Sequence, residues 1–168
     1  MSADERFFVD TNVLLYTADP TDPAKQRAAR LWLTTLWEQG AGSLSWQVLH
    51  EFYVNAVRKM RLPAPSARAT VEVFASWQPI ETGFGLIQRA WHWTDEAQLT
   101  YWDGLIVAAA EQAGCAWLLS EDFQVGRKLG RVTVVNPFLG WPEQFGLKPR
   151  AQSKIANRHR LQERTLNF

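Results

Sequence analysis

Short apolar segments alternate with longer segments of helical periodicity along this chain. Four segments have the length and composition of short buried strands: residues 7–10, 43–45, 116–119 and 132–135. Between them, apolar side chains recur at the spacing of one helix face. This alternation predicts an α/β fold in three layers (α/β/α), with a short, mainly parallel sheet flanked by helices.

Residues that favour helix starts mark several of the predicted helices. Asp22 is followed by proline, which is a strong signal for an N-cap. Ser66 and Asp95 are expected to cap further helices in the same way. Thr100 and Asp103 have the spacing of a capping box before an alanine-rich helix.

Length and cysteine content narrow the class of protein. The 168 residues favour one domain, and the single cysteine, Cys115, excludes an internal disulfide and a cysteine-cluster zinc site. Its apolar neighbours predict a buried thiol. The first residues lack the apolar core of a signal peptide, and no apolar run approaches the roughly 20 residues of a membrane helix. We therefore expect a cytoplasmic protein with no membrane partner.

Charge is unevenly distributed, although the net charge is only +1. Residues 148–168 contain six Lys or Arg and one Glu, so the rest of the chain is net acidic. Such asymmetry suggests a polyanionic partner. We divide the chain into a main domain, residues 1–147, and a basic C-terminal extension, residues 148–168. The extension contacts a polyanion, docks on an acidic surface of a partner, or is simply solvated.

Four acidic residues stand where ligand sites form in α/β proteins, at the carboxyl ends of the strands. Asp10 ends the first predicted strand, Asp122 follows the third, and Glu51 and Asp103 lie in the first turns of helices. Four carboxylates brought together repel one another unless cations neutralise them. Oxygen ligands without nearby histidine or cysteine select hard ions, so the pattern predicts Mg²⁺, with Mn²⁺ as a substitute.

Each of these acids also has a purely structural interpretation. Helix starts favour carboxylates, so Asp10 and Asp122 would serve as N-caps and Asp103 would complete a capping box. Glu51 would be a solvated helix residue. The histidines are left out of the predicted site because they lack metal-ligand spacing, and His50 would face away from its neighbour Glu51 on a helix.

Five segments of the chain carry a more specific pattern. They are Phe-Val-Asp-Thr-Asn-Val-Leu-Leu-Tyr (residues 8–16), Leu-His-Glu-Phe (49–52), Tyr-Trp-Asp-Gly-Leu-Ile-Val-Ala-Ala-Ala (101–110), Leu-Leu-Ser-Glu-Asp-Phe (118–123) and Val-Asn-Pro-Phe (135–138). Together they resemble the PIN-domain family and, within it, the ribonuclease toxins of the VapC type. The resemblance implies a PIN-like fold with one acidic pocket at the carboxyl edge of its sheet. It also implies RNA as substrate and an antitoxin partner that blocks the site.

The resemblance also assigns roles to residues. The acidic catalytic positions are matched by Asp10, Glu51, Asp103 and Asp122, and the polar positions near the metal by Thr11, Asn12 and Ser120. One or two Mg²⁺ ions would be held by Asp10, Asp103 and Asp122, and Glu51 would join directly or through water. Two departures are visible: Gly104 stands where alanine is common, and Ser120 where threonine is frequent.

These expectations combine into one functional hypothesis and two alternatives. The hypothesis is a metal-dependent endoribonuclease that acts as the toxin of a type II toxin–antitoxin pair and forms a homodimer. The first alternative is a non-catalytic PIN-like module for RNA binding or assembly. The second is a phosphotransferase of the haloacid-dehalogenase type, which needs another aspartate two residues after the first; Asn12 stands there instead.

Overall fold

The computed structural model describes residues 6–149 of the chain. The strands are β1 (Phe7–Val9), β2 (Gly42–Ser43), β3 (Trp117–Leu119), β4 (Lys128–Leu129) and β5 (Val132–Val135). The α-helices are α1 (Thr11–Ala18), α2 (Pro23–Gln39), α3 (Trp46–Arg58), α4 (Ala64–Ala75), α5 (Phe84–Ala97) and α6 (Tyr101–Gln112). A short 3₁₀ helix (Pro142–Phe145) follows the last strand.

The strands form one sheet in the order β2-β1-β3-β5-β4. All neighbouring strands are parallel except β4 and β5, which are antiparallel. Val9 pairs with Leu119, and Leu119 pairs with Val135, so β1, β3 and β5 end at the same level. The predicted mainly parallel sheet is therefore confirmed, and the residues after these three strands share one edge.

Both faces of the sheet are covered. Phe7 and Phe8 are adjacent in β1, so their side chains point to opposite faces, yet neither has any exposed surface. Phe7 packs against Trp32 of α2 and Phe145 of the 3₁₀ helix, while α6 packs along β3 and β5. Helices on both sides of the sheet confirm the predicted three-layer arrangement.

Two of the predicted helix starts are confirmed. The Asp22 side chain accepts a hydrogen bond from the Lys25 backbone N–H at 3.0 Å, and α2 begins directly after it. The Thr100 hydroxyl accepts one from the Asp103 backbone N–H at 3.2 Å at the start of α6. These caps depend on neighbours in sequence, which is why the sequence reveals them.

Two other predicted caps are wrong. Helix α4 begins two residues before Ser66, because the fixed φ of Pro65 suits the first turn of a helix. Helix α5 continues through Asp95 to Ala97, and its C-cap residue, Gln98, adopts a left-handed conformation. The apolar face of α5 packs on α6, and this burial outweighs the local preference of Asp95 for a cap.

The packing of α5 on α6 depends on Gly104. A Cβ atom there would lie 2.7 Å from the carbonyl oxygen of Ala90 in α5. The missing side chain lets the two helix backbones approach, which explains the departure from the alanine common in the family. Since Asp103 and Trp102 precede Gly104 directly, this contact also sets the position of the first turn of α6.

The predictions for the cysteine, for membrane helices and for the basic extension can be compared with the structure in turn. Cys115 is fully buried and carries a free thiol, as predicted. Within residues 6–149, no helix is long and apolar enough to cross a membrane. Of the predicted basic extension, residues 150–168 lie outside the described residues, so its predicted contacts stay a prediction.

Candidate active site

Asp10 lies at the centre of the carboxyl edge of the sheet, directly after β1. Its backbone N–H donates to the Leu119 carbonyl at 3.1 Å. One carboxylate oxygen accepts from the Thr11 backbone N–H, and the other accepts from the Ser120 hydroxyl, both at 2.7 Å. Asp10 is only 7% exposed. It therefore caps α1, as its structural interpretation held, and also directs one oxygen into a buried polar cluster.

Asn12 joins the carboxylates at this edge. Its side-chain nitrogen lies 3.1 Å from an Asp10 oxygen, 3.0 Å from the Ser120 hydroxyl and 3.0 Å from an Asp122 oxygen. A neutral amide donor between two carboxylates reduces their repulsion, whereas aspartate at this position would add a third negative charge. The asparagine therefore stabilises the close approach of Asp10 and Asp122.

The turn after β3 supplies the other side of this cluster. Ser120 has no exposed surface, and its hydroxyl accepts from the Asp122 backbone N–H at 3.1 Å. Asp122 is exposed and lies in a bend, from which the chain continues to strand β4, so its interpretation as a helix N-cap is wrong. We call Asp10, Asn12, Ser120 and Asp122 the strand-edge network.

Glu51 approaches Asp10 from helix α3. One of its carboxylate oxygens accepts from the Thr11 hydroxyl at 3.1 Å, and the other accepts from the Gln47 side-chain amide at 3.0 Å. Gln47 also lies 3.3 Å from the Trp102 carbonyl and so links α3 to α6. Glu51 is half-buried and held by two side chains, which contradicts its interpretation as a solvated helix residue.

Asp103 is held differently from the other three acids. Its carboxylate accepts from the Thr100 hydroxyl at 2.7 Å, and its backbone N–H donates to the same hydroxyl. This is the structural role predicted as the alternative to metal binding. Among the described residues, the hydrogen bonds of Asp103 connect it to the start of α6 rather than to the strand-edge network.

Burial and like charge perturb the ionisation of Asp10. Desolvation by burial, assisted by repulsion from Asp122 and Glu51, raises the pKa of Asp10 from 3.8 to about 6. The hydrogen bonds from Ser120 and Thr11 act in the opposite direction. Three carboxylates thus lie within electrostatic range of one another, and a cation between them would relieve an excess of negative charge.

Two residues that sequence reasoning missed support the site. Lys25 of α2 forms an ion pair with Glu121 at 2.6 Å and contacts the Tyr16 hydroxyl at 3.0 Å, which anchors the turn beside Asp122. The bond to Glu121 raises the pKa of Lys25. Gln47 had a local signal, because it lies four residues before Glu51 on one helix face. Lys25 had none.

A groove of about 800 Å³ adjoins the site on the side of α6. Its lining includes Trp46, His50 and Glu51 from α3, Glu81 from the segment before α5, and Trp102 from α6. We call this the aromatic groove. His50 and Glu51 both line it, and the His50 ring lies 6.4 Å from the Trp46 ring.

Comparison with known proteins agrees with this geometry. The PIN domain model matches residues 7–128, which is most of the chain. The solved structure of VapC20 of Mycobacterium tuberculosis, a toxin that cleaves the sarcin–ricin loop, matches with a TM-score of 0.52 and 22% identity over 67% of this chain and 86% of that one. That likeness is one of fold. The sequence has no significant match among curated proteins. The predicted resemblance is confirmed: the chain belongs to the PIN-domain family.

Proposed function

We propose that this protein is a divalent-metal-dependent endoribonuclease and the toxin of a type II toxin–antitoxin pair. The observation that carries the proposal is the environment of Asp10. It is buried at the carboxyl edge of a PIN-family sheet, is oriented by Ser120, and is repelled by Asp122 and Glu51. Two negative neighbours destabilise a carboxylate that has only a structural role, whereas a bound divalent cation is stabilised by all three charges.

The residues present fit Mg²⁺ or Mn²⁺ in type and in charge. The donors are carboxylate oxygens, which hard divalent ions prefer. Within residues 6–149, no three Asp, Glu, His or Cys groups already lie close enough to share one ion. We therefore propose that Asp10 and Asp122 would hold the ion from the strand-edge network, that Asp103 would rotate away from Thr100 to join them, and that Glu51 would contribute through water.

The chain's own residues perform the remaining tasks. A bound Mg²⁺ or Mn²⁺ supplies an acidified water and offsets charge on the phosphate. Ser120 and Thr11 fix the orientation of Asp10, and Asn12 fixes Asp122 beside it. Glu51, held by Gln47 at the mouth of the aromatic groove, can accept a proton from a water that attacks phosphorus in line.

The partners follow from the same family relation. The activity of VapC20, cleavage of the sarcin–ricin loop, supports RNA as the substrate class here. We also propose a cytoplasmic homodimer that is inhibited by a cognate antitoxin. The basic residues 148–168 are proposed to contact RNA phosphates, so truncation after residue 148 should weaken RNA binding and flatten its salt dependence.

The test of the central proposal is RNA cleavage by the Asp10→Asn variant. With Mg²⁺ or Mn²⁺ we expect turnover to fall about a hundredfold or more, because the metal loses its central ligand. Asp95→Asn makes the same chemical change at an exposed site in α5 and should cleave like the wild type. EDTA should abolish wild-type cleavage. Unchanged turnover in Asp10→Asn would refute the proposal.

The non-catalytic alternative retains support from one observation, the lack of preformed metal-ligand spacing within residues 6–149. Calorimetric titration with Mn²⁺ separates the two proposals. Metal binding that is lost in Asp10→Asn supports the nuclease. RNA binding without either metal binding or cleavage supports an RNA-binding module.

A further inference from the structure

The aromatic groove is open to solvent beside the proposed catalytic acids. Trp102 is 62% exposed and Val54 is 45% exposed, which is unusual for large apolar side chains that share one concavity. Glu51 belongs both to the groove lining and to the proposed site. Any ligand in the groove therefore lies next to the position where an RNA phosphate would be cleaved.

The charge of the groove argues against a phosphate as its occupant. Its lining contains the carboxylates Glu51 and Glu81, and none of the described residues that line it is Lys or Arg. A phosphate group would be repelled by both carboxylates. The two carboxylates therefore favour an occupant that donates hydrogen bonds to them.

The shape and chemistry of the lining suit a planar aromatic group. The ring of Trp46 lies 6.4 Å from that of His50, and the ring of Trp102 lies 5.4 Å from that of Tyr101. Unpaired RNA bases stack on such side chains and are hydrogen-bonded along their Watson–Crick edges. A base attached to the substrate strand would enter the groove while its phosphate lies at the carboxylates.

Glu81 indicates which base fits. Its side chain is exposed in the groove and forms no hydrogen bond or ion pair with the part of the chain that the structure describes. A carboxylate is an acceptor only, and it pairs best with two adjacent donors. Guanine presents N1–H and the 2-amino group side by side. Adenine and cytosine place an acceptor beside their amino group, and uracil flanks its single N–H with two carbonyls.

We infer that the aromatic groove binds an unpaired guanine of the RNA substrate, stacked on Trp102 and paired through its Watson–Crick edge with Glu81. This inference rests on the proposed function, which places the scissile phosphate beside Glu51. Trp102 and Glu81 are then substrate-binding residues that set the sequence preference of cleavage.

The test is binding of short labelled oligouridines that contain one guanosine, adenosine or inosine, measured by fluorescence anisotropy in EDTA. The wild type should bind the guanosine oligonucleotide about tenfold more tightly than the adenosine one. Inosine lacks the 2-amino group and should lose most of this preference, whereas 7-deazaguanosine, with an unchanged Watson–Crick edge, should retain it. A gel confirms that the oligonucleotides stay intact.

Variants assign the preference to the groove. Trp102→Ala should weaken binding of the guanosine oligonucleotide about tenfold or more, and Trp102→Phe should restore much of it. Glu81→Gln should abolish the preference for guanosine without weakening the adenosine oligonucleotide. Trp141→Ala removes another tryptophan, 56% exposed and outside the groove, and should bind like the wild type.

Two results would overturn the inference. One is equal affinity of the wild type for the guanosine, adenosine and inosine oligonucleotides. The other is a Trp102→Ala variant that binds RNA normally but loses self-association in sedimentation, which would assign the groove to a protein partner. Failure of the proposed function is distinct: the guanosine preference would persist while no RNA is cleaved. If the Trp102→Ala variant cleaved RNA with the same KM and the same base preference as the wild type, the inference would be wrong while the proposed function would stand.

Discussion

The strand-edge network and the aromatic groove lie side by side but are built in different ways. In the network, Asp10 and Ser120 are buried and follow strands that end in register. Their positions are set by the backbone, and each of the four side chains forms at least one hydrogen bond to another member of the network. The network is therefore positioned before any ligand binds.

The groove depends on side chains from separate helices. Gln47 bridges Glu51 of α3 and the Trp102 carbonyl of α6, and Trp102 itself is largely exposed. Asp103 is bonded within its own helix turn. The sheet edge therefore supplies a fixed charge cluster, whereas the helix side is the adaptable half that can close on a ligand. Substitutions on either side, described in order of decreasing effect, test this division.

Asn12→Asp should break the strand-edge network. The substitution replaces the shared donor with a carboxylate beside Asp10 and Asp122, so we expect a loss of about 3–4 kcal/mol in the free energy of unfolding in EDTA. Mn²⁺ should recover much of it, because a cation offsets the added charge. Asn136→Asp is the matched control at the same edge: within residues 6–149 the Asn136 side chain accepts one hydrogen bond, from the Phe138 backbone N–H, and aspartate preserves it. Equal urea midpoints for both variants would contradict the division.

The ionisation of Asp10 should make metal-free stability depend on pH. Because its folded pKa is raised from 3.8 to about 6, the folded state holds the proton more tightly between these values. The stability that this proton contributes is present below pH 4 and is lost as the pH rises through 6, by about 3 kcal/mol in total. The difference between wild type and Asp10→Asn, measured by urea unfolding in EDTA, should therefore change over this interval. Parallel pH profiles would show that Asp10 is not desolvated.

Gly104→Ala should disturb the groove and spare the network. The added Cβ would lie 2.7 Å from the Ala90 carbonyl oxygen, so α6 must move, at a cost of about 2 kcal/mol. RNA binding should weaken with the displacement of Trp102, while the pH dependence due to Asp10 persists. Gly85→Ala is the control: a Cβ there meets no atom within 4 Å, and the substitution should stabilise α5 by about 0.5–1 kcal/mol. If Gly104→Ala also removed the pH dependence of stability that is due to Asp10, the strand-edge network and the aromatic groove would behave as one unit.

Lys25→Ala should have the smallest effect. The side chains of Lys25 and Glu121 are 32% and 20% exposed, so their ion pair is partly screened by solvent. A double-mutant cycle with Glu121→Gln should give a coupling energy of about 0.5 kcal/mol between the two side chains, and this energy should decrease at high salt. Lys128→Ala, at an exposed position on the edge strand, serves as the control. A coupling energy above about 2 kcal/mol would show that the Lys25–Glu121 pair is as strongly coupled as a buried network, which would contradict its placement outside the strand-edge network.

Much of the fold was predictable because its signals are local. The apolar runs that became β1, β3 and β5, and the caps Asp22 and Thr100, depend on residues within a few positions. Ser66 and Asp95 show the limit, since the same local signal failed where packing extended a helix. The two-residue strand β4 was missed because so short an element has no periodicity.

The candidate site divides in the same way. Strand ends and helix starts can be read along the chain, so the sequence alone places acids after the strands and at the helix starts, and it pairs Asp103 with Thr100 three residues away. The bridge of Asn12 between Asp10 and Asp122, and the bonds of Glu51 to Thr11 and Gln47, become visible only in the folded structure. The contacts between elements join residues up to 110 positions apart. They depend on strand register and on the approach of α6 to α5, which no local pattern of residues encodes.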